Sequence, residues 1–166
     1  MTTQSTPEQL AAVPRLASGL SWQQQPVGFA FRTFARTITE TDLSAFVALT
    51  GFVGPLFLDA RKAPAAGYAG RLVPGMLTLT FAEGLVLQTN VMNGTGLGFL
   101  AMTFEVHKPC FVGSTIEVVV EVTESRASSK ANRGVVTSRN SVLNEHGELV
   151  LTYCPVRLQR GSQDQS

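Results

Sequence analysis

The chain has 166 residues, of which 44% are apolar and only 15% charged, against about 25% charged in an average soluble domain. A chain of this length is expected to form one domain burying roughly 68–70% of its unfolded surface, which excludes disorder for the bulk of it. Its 13 basic and 12 acidic residues leave a net charge of +1, so no broad field gathers nucleic acid or an anionic membrane.

In chain order, residues 1–24 are rich in Thr, Gln, Ser and Pro without clear periodicity and are expected to form a flexible N-terminal segment. Residues 25–160 are expected to form the single domain, and 161–166 a frayed polar tail. Residues 27–38 carry loosely alternating apolar positions and predict a strand. Thr39 followed by Asp42 resembles a capping box and predicts a helix that runs through Leu43, Phe46, Val47 and Leu49 to Gly51. Phe52 to Pro55 predict a turn, and residues 59–66 a short irregular helical stretch.

Residues 76–91 follow Pro74-Gly75 and hold a single charge, Glu83. They predict a helix buried nearly all round, although periodicity alone would also allow a strand. Four strand-like runs follow, at 96–107, 115–124, 134–143 and 148–158. In the second, Ile116, Val118, Val120 and Val122 mark one covered face. Asn144-Glu145-His146-Gly147 is a hairpin signal. Helices segregated before an antiparallel meander imply an α+β fold.

These phrases resemble the MaoC-like, (R)-specific enoyl-CoA hydratase family. The similarity runs from 27 to 158 and rests on Thr39-Glu40-Thr41-Asp42, Leu49-Thr50-Gly51, Leu58-Asp59, Ala65-Ala66-Gly67-Tyr68, Arg71-Leu72-Val73-Pro74-Gly75-Met76 and Lys108-Pro109 with Phe111 to Ser114. The resemblance implies a hot-dog fold, an antiparallel sheet wrapped around one long central helix. It also implies an acyl-CoA or acyl-carrier-protein thioester as substrate. The chain would pair into a homodimer, or a heterodimer with a related hot-dog chain, which accords with its low charge.

The family's chemistry rests on an Asp, four residues, then a His, which activate one water. Here Thr50, Gly51, Pro55 and Asp59 fit the motif, but Phe52 stands at the Asp position, Gly54 at the Asn position and Phe57 at the His position. A phenyl ring has no group to exchange a proton with water, and general acid–base catalysis typically contributes about 10²–10⁴-fold. The chain is therefore expected to hold no catalytic residue of the usual kind and to act as a degenerate or partner-dependent subunit. The alternatives are an enzyme of altered chemistry (dehydratase, isomerase or thioesterase) or a non-catalytic binding protein. Asp59, Glu83 and His107 are the weak substitutes; a cap, a salt bridge with an Arg and a strand-end imidazole are their plainer roles.

The resemblance also implies that the Pro74-Gly75-Met76 turn holds the thioester carbonyl on backbone N–H groups, aided by the helix dipole. Phe52 and Phe57 would either fill a dead pocket or line an apolar one. Cys110 and Cys154 sit in apolar strand-like runs and predict reduced buried thiols; no Cys/His cluster suggests a metal, and no cofactor is expected. His107 and Cys110, three residues apart, would face opposite sides of one strand. No secretory signal and no run of 18 apolar residues are found, so the expected compartment is the cytoplasm.

Overall fold

Alternation of β-branched side chains places Ile116, Val118, Val120 and Val122 against the core, each at most 3% exposed, while their neighbours face outward. Around this strand the rest of the sheet is built. The computed structural model describes residues 6–8, 12 and 18–162. After a 3-10 turn at Trp22–Gln24, the elements are β1 (Ala30–Arg32), β2 (Arg36–Thr37), α1 (Glu40–Thr50), α2 (Pro55–Leu58), α3 (Lys62–Ala65), β3 (Leu72–Val73), α4 (Gly75–Gln88), β4 (Gly96–Val106), β5 (Cys110–Phe111), β6 (Thr115–Ala127), β7 (Arg133–Asn144) and β8 (Leu149–Arg160).

The large sheet is antiparallel and runs β1-β6-β7-β8-β4, with β2 also paired to β6. A separate ribbon joins β3 to β5. One face of the sheet curls over α4. Leu77, Leu79, Ala82, Leu85 and Val86 pack there in one cluster with Ile116, Val118, Val142, Leu151 and Tyr153.

Three local expectations are corrected. The strand expected over 27–38 is split into β1 and β2. At the break the Thr33 hydroxyl donates to the Phe34 carbonyl at 2.7 Å and accepts the Val118 N–H at 3.0 Å, taking over a rung of the ladder. The turn expected over 52–55 gives way at Pro55 to a one-turn helix, α2, while the helical stretch expected over 59–66 is present as α3. Pro55 opens α2 because it lacks an N–H and its φ is already helical. The central helix is not buried all round: Met76 and Leu87 are 41% and 55% exposed, and Thr80 between them is exposed too. These three share one open flank, at the helical spacing of four and seven residues.

The flexible segment expected over 1–24 is docked from residue 18 onward. Gly19 and Leu20 donate to the carbonyls of Asn93 and Val91, both at 2.8 Å, and Ser21 with Gln24 forms a capping box. The Trp22 ring fills the space where a side chain at Gly134 would stand. At the other end Gly161 donates to Asn132 and Ser162 to Gln23, so the expected tail is pinned at 161–162. Residues 1–5 and 163–166 lie outside the described residues.

The helix α1 begins as its capping box requires: Asp42 N–H donates to the Thr39 hydroxyl, and Asp42 accepts from Thr39 N–H at 2.8 Å. It ends at Gly51, whose φ of 69° is the left-handed conformation that glycine adopts freely.

Glu83 of α4 is tied to the sheet. It accepts from Arg157 at 2.6 and 2.7 Å and from the Tyr153 hydroxyl at 3.1 Å. Burial and the Glu83 charge push the Tyr153 phenol well up, so it stays a donor. Removing one member of a buried pair costs about 3–5 kcal/mol, whereas replacing both by apolar groups is often neutral. Arg157→Met is therefore expected to lower the urea midpoint sharply, and Glu83→Met/Arg157→Met to recover most of the loss. Gly134→Ala is expected to cost about 1–3 kcal/mol through overpacking against Trp22, and less when combined with Trp22→Ala.

Candidate functional site

The loop that leaves α1 at Gly51 brings Phe52, Pro55 and Phe57 together. The Phe52 and Phe57 rings lie 5.5 Å apart, and Phe46 packs 5.8 Å from Phe52. This aromatic chain carries Phe57 to a cleft of about 340 Å³ bordered also by Tyr68, Pro74, Gly75, Thr78 and Val106. The cleft is open, so the ring at the expected His position forms a wall and does not fill the space. Phe52 is 40% exposed and stands behind Phe57, outside the cleft lining.

The cleft ends on the start of α4. Pro74 caps that helix, and its carbonyl accepts from Leu77 and Thr78 at 2.9 and 3.2 Å. The N–H groups of Gly75 and Met76 donate to no acceptor among the described residues. They are two of the orphan donors that every helix start leaves, and the helix dipole adds partial positive charge to them. A Cβ at Gly75 would stand 3.0 Å from a Val106 methyl, so the strand approaches as closely as glycine permits. Of the expected thioester-binding trio, Pro74 and Gly75 line the cleft, whereas the Met76 side chain lies on the open flank of α4.

The substitute acids and bases are placed elsewhere or engaged. Asp59 is outside the cleft lining and binds Arg61 through the backbone N–H at 3.0 Å and the guanidinium at 2.9 and 3.0 Å. These bonds hold its carboxyl below the usual range. Glu83 borders a different, apolar hollow of about 510 Å³ between α4 and β4, with Arg157, Leu87 and Phe99.

His107 borders the cleft, but its Nε2 is 2.9 Å from the Thr152 hydroxyl. Val106 before it faces Gly75, so the imidazole turns to the other side of the sheet. Lys108 is held by Glu148 at 2.6 Å.

Cys110 does not share a strand with His107 as expected. The chain leaves β4 at Val106, and Cys110 opens β5, where it lines the same cleft. Burial pushes its thiol up against a hydrogen bond with Thr78, which makes it a poor nucleophile. The sequence reading missed Tyr68 as a cleft residue; its phenol sits at the rim, 38% exposed. The only signal was its position just after Gly67, in the loop that returns to β3. Among the described residues no group of His, Cys, Asp and Glu could hold a metal ion. No described helix is long and apolar enough to cross a membrane.

A sequence model described as the MaoC like domain matches residues 23–145. The chain belongs to the MaoC-like domain family. It is 28% identical over 133 residues to the (R)-specific enoyl-CoA hydratase of Aeromonas caviae, covering 80% of this chain and 94% of that protein. Among solved structures it is similar to the monoamine oxidase regulatory protein of Archaeoglobus fulgius, with 30% identity, a TM-score of 0.81, and 89% and 98% of the two chains covered. A Mycobacterium tuberculosis protein described as having a double hot-dog fold shares the architecture at 21% identity, with a TM-score of 0.78, over 89% of this chain and 46% of that one. The sheet curled over α4 is thus the hot-dog fold that the sequence phrases implied.

A thiol whose pKa is raised carries less thiolate at pH 8, and burial slows reagents further. In a Cys154→Ala variant, Cys110 is expected to react with a disulfide reagent at least about tenfold more slowly than free cysteine. It is expected to reach the free rate only in unfolding concentrations of urea, which stopped-flow absorbance would follow.

Proposed function

We propose that this chain binds an acyl thioester, carried on CoA or an acyl-carrier protein, as the non-catalytic member of a MaoC-type hydratase/dehydratase. The observation that carries this reading is the pair Phe52 and Phe57, which replaces the motif's Asp and His while the cleft beside the free N–H groups of Gly75 and Met76 stays open.

The chemistry follows from those groups. The thioester carbonyl oxygen would accept from the two amides, which stabilise the charge that builds on it as the α-carbon gains or loses a proton. Phe57 and Val106 would hold the acyl chain in apolar surroundings. Among the described residues that line the cleft there is no carboxylate, and the one imidazole is engaged by Thr152. A related chain that retains the Asp and His would supply that step.

Pairing is supported by β4. It is the last strand of the sheet, and Leu97, Phe99, Leu100, Phe104 and Val106 on it are 37–55% exposed. The open flank of α4 with Met76 and Leu87 adds to this apolar surface. An unpaired apolar edge is a template for another strand, and a second hot-dog chain, identical or related, would cover it.

Tyr68 favours a second reading, a self-sufficient enzyme that uses its phenol as the acid. One set of assays separates the two. The purified chain is expected to show no hydration of trans-2-enoyl-CoA, and Phe52→Asp/Phe57→His to gain at least about 10²-fold over background. Activity in the natural chain that Tyr68→Phe removes would overturn the first reading in favour of the second. Phe99→Glu/Phe104→Glu is expected to leave a folded monomer where the natural chain runs as a dimer, as light scattering would show.

A further inference from the structure

Most of the described cations are neutralised: Arg32, Arg36, Arg61, Arg71, Lys108, Arg126 and Arg157 each meet a carboxylate. Among the described residues Lys62, Lys130, Arg133, Arg139 and Arg160 form no ion pair, and three of these five lie at one end of the sheet. Lys130 and Arg133 lie in and just after the β6–β7 turn, and Arg160 ends β8. Arg133 and Arg160 are direct cross-strand partners.

Their neighbours Gly134 and Gln159 are buried, so both arginine side chains leave on the same outer face. Like charges directly opposite on a sheet repel. Both nonetheless border one hollow of about 210 Å³, together with Leu97, Ala131 and Asn132 and without a carboxylate among the described residues.

The frame that holds the two guanidinium groups is tied down. Arg160 N–H donates to Thr95 at 2.8 Å, Gly161 N–H to Asn132 at 2.9 Å, and the Arg133 carbonyl accepts from Ser128 at 2.9 Å. Arg160 also borders an adjoining polar hollow of about 310 Å³ with Ser21, Gln24 and Thr95. The Thr95 hydroxyl there is buried and meets no hydrogen-bond partner. Two guanidinium forks on one hollow with no carboxylate in its lining suit a tetrahedral oxyanion of charge near two, which takes parallel hydrogen bonds from each fork, and the unspent Thr95 hydroxyl lies in the adjoining hollow.

We infer that Arg133 and Arg160 together bind a phosphate group. The site is separate from the cleft: ten residues of β8 at about 3.3 Å each place the two roughly 33 Å apart in one protomer. Two-fold pairing along β4 would set the Gly96 end of one strand beside the Val106 end of the other, and with it the hollow of one protomer beside the partner's cleft. The phosphate is then part of the acyl carrier. That assignment rests on the proposed function; the phosphate site itself does not.

Calorimetry with the full chain tests it, using inorganic phosphate, adenosine 3′,5′-bisphosphate, CoA and pantetheine, the last without phosphate. Adenosine bisphosphate and CoA are expected to bind, more weakly as salt rises. Arg133→Gln/Arg160→Gln is expected to lose at least about tenfold in affinity for both, with an unchanged thermal midpoint and unchanged pantetheine binding. Lys62→Gln, which removes an unpaired cation elsewhere, is expected to bind like the natural chain. Equal binding by the double variant, or no phosphate compound binding at low salt, would overturn the site. Inorganic phosphate binding as tightly as CoA keeps the site and assigns it to a free anion. Binding of adenosine bisphosphate without binding of any enoyl thioester keeps the site while the functional reading fails.

Discussion

The burial of one apolar helix governs this molecule. With Glu83 as its only charge, α4 cannot remain in water, and a flat sheet would cover only one side of it. The long strands β6, β7 and β8 curl over it, and the apolar contacts so formed are the main source of stability. Glu83 would be costly in that setting, but Arg157 and the Tyr153 hydroxyl from β8 meet it. The ion pair fixes how far the helix is turned and slid along the sheet, because only one registry brings the three groups together.

The placement of α4 also creates the cleft. Helix starts leave amide donors unused, and here the start lies where the closely approaching Val106 and the turn at Pro74 exclude other backbone. Sheet and helix thereby leave the start of α4, with its unspent amides, at the border of the cleft. In the reading proposed above, those amides would hold and polarise a carbonyl without any ionisable side chain. Moving a proton is a different task, and it needs a group that the phenyl rings of Phe52 and Phe57 do not have. That reading separates the part of the chemistry supplied by backbone from the part supplied by side chains.

The outer surface follows a similar economy. Ion pairs neutralise most of the described cations, and the apolar edge of β4 with the bare flank of α4 is left uncovered by this chain. Arg133 and Arg160 stand outside both patterns, since they are neither paired nor spaced apart.

Much of the fold was legible in the residues. Alternating valines marked β6, the Thr39–Asp42 box and Gly51 bounded α1, and Pro74-Gly75 opened α4, since each signal acts through neighbours in the chain. Phe52 and Phe57, at the positions where the motif carries Asp and His, were equally plain in the sequence. Other features depended on distant partners. Thr33 broke the first strand only because Val118 lay across from it, and residues 18–24 were held only because Gly134 left room for Trp22. Glu83 found Arg157, and Arg133 found Arg160, across 74 and 27 positions of sequence that periodicity cannot span. The sequence by itself determined where most elements begin and end and which side chains stand at the motif positions, because propensity, capping and side-chain chemistry are local properties. Only the tertiary structure decided that the cleft stays open, which groups line it and which charges meet, because those depend on how far the sheet curls around its helix.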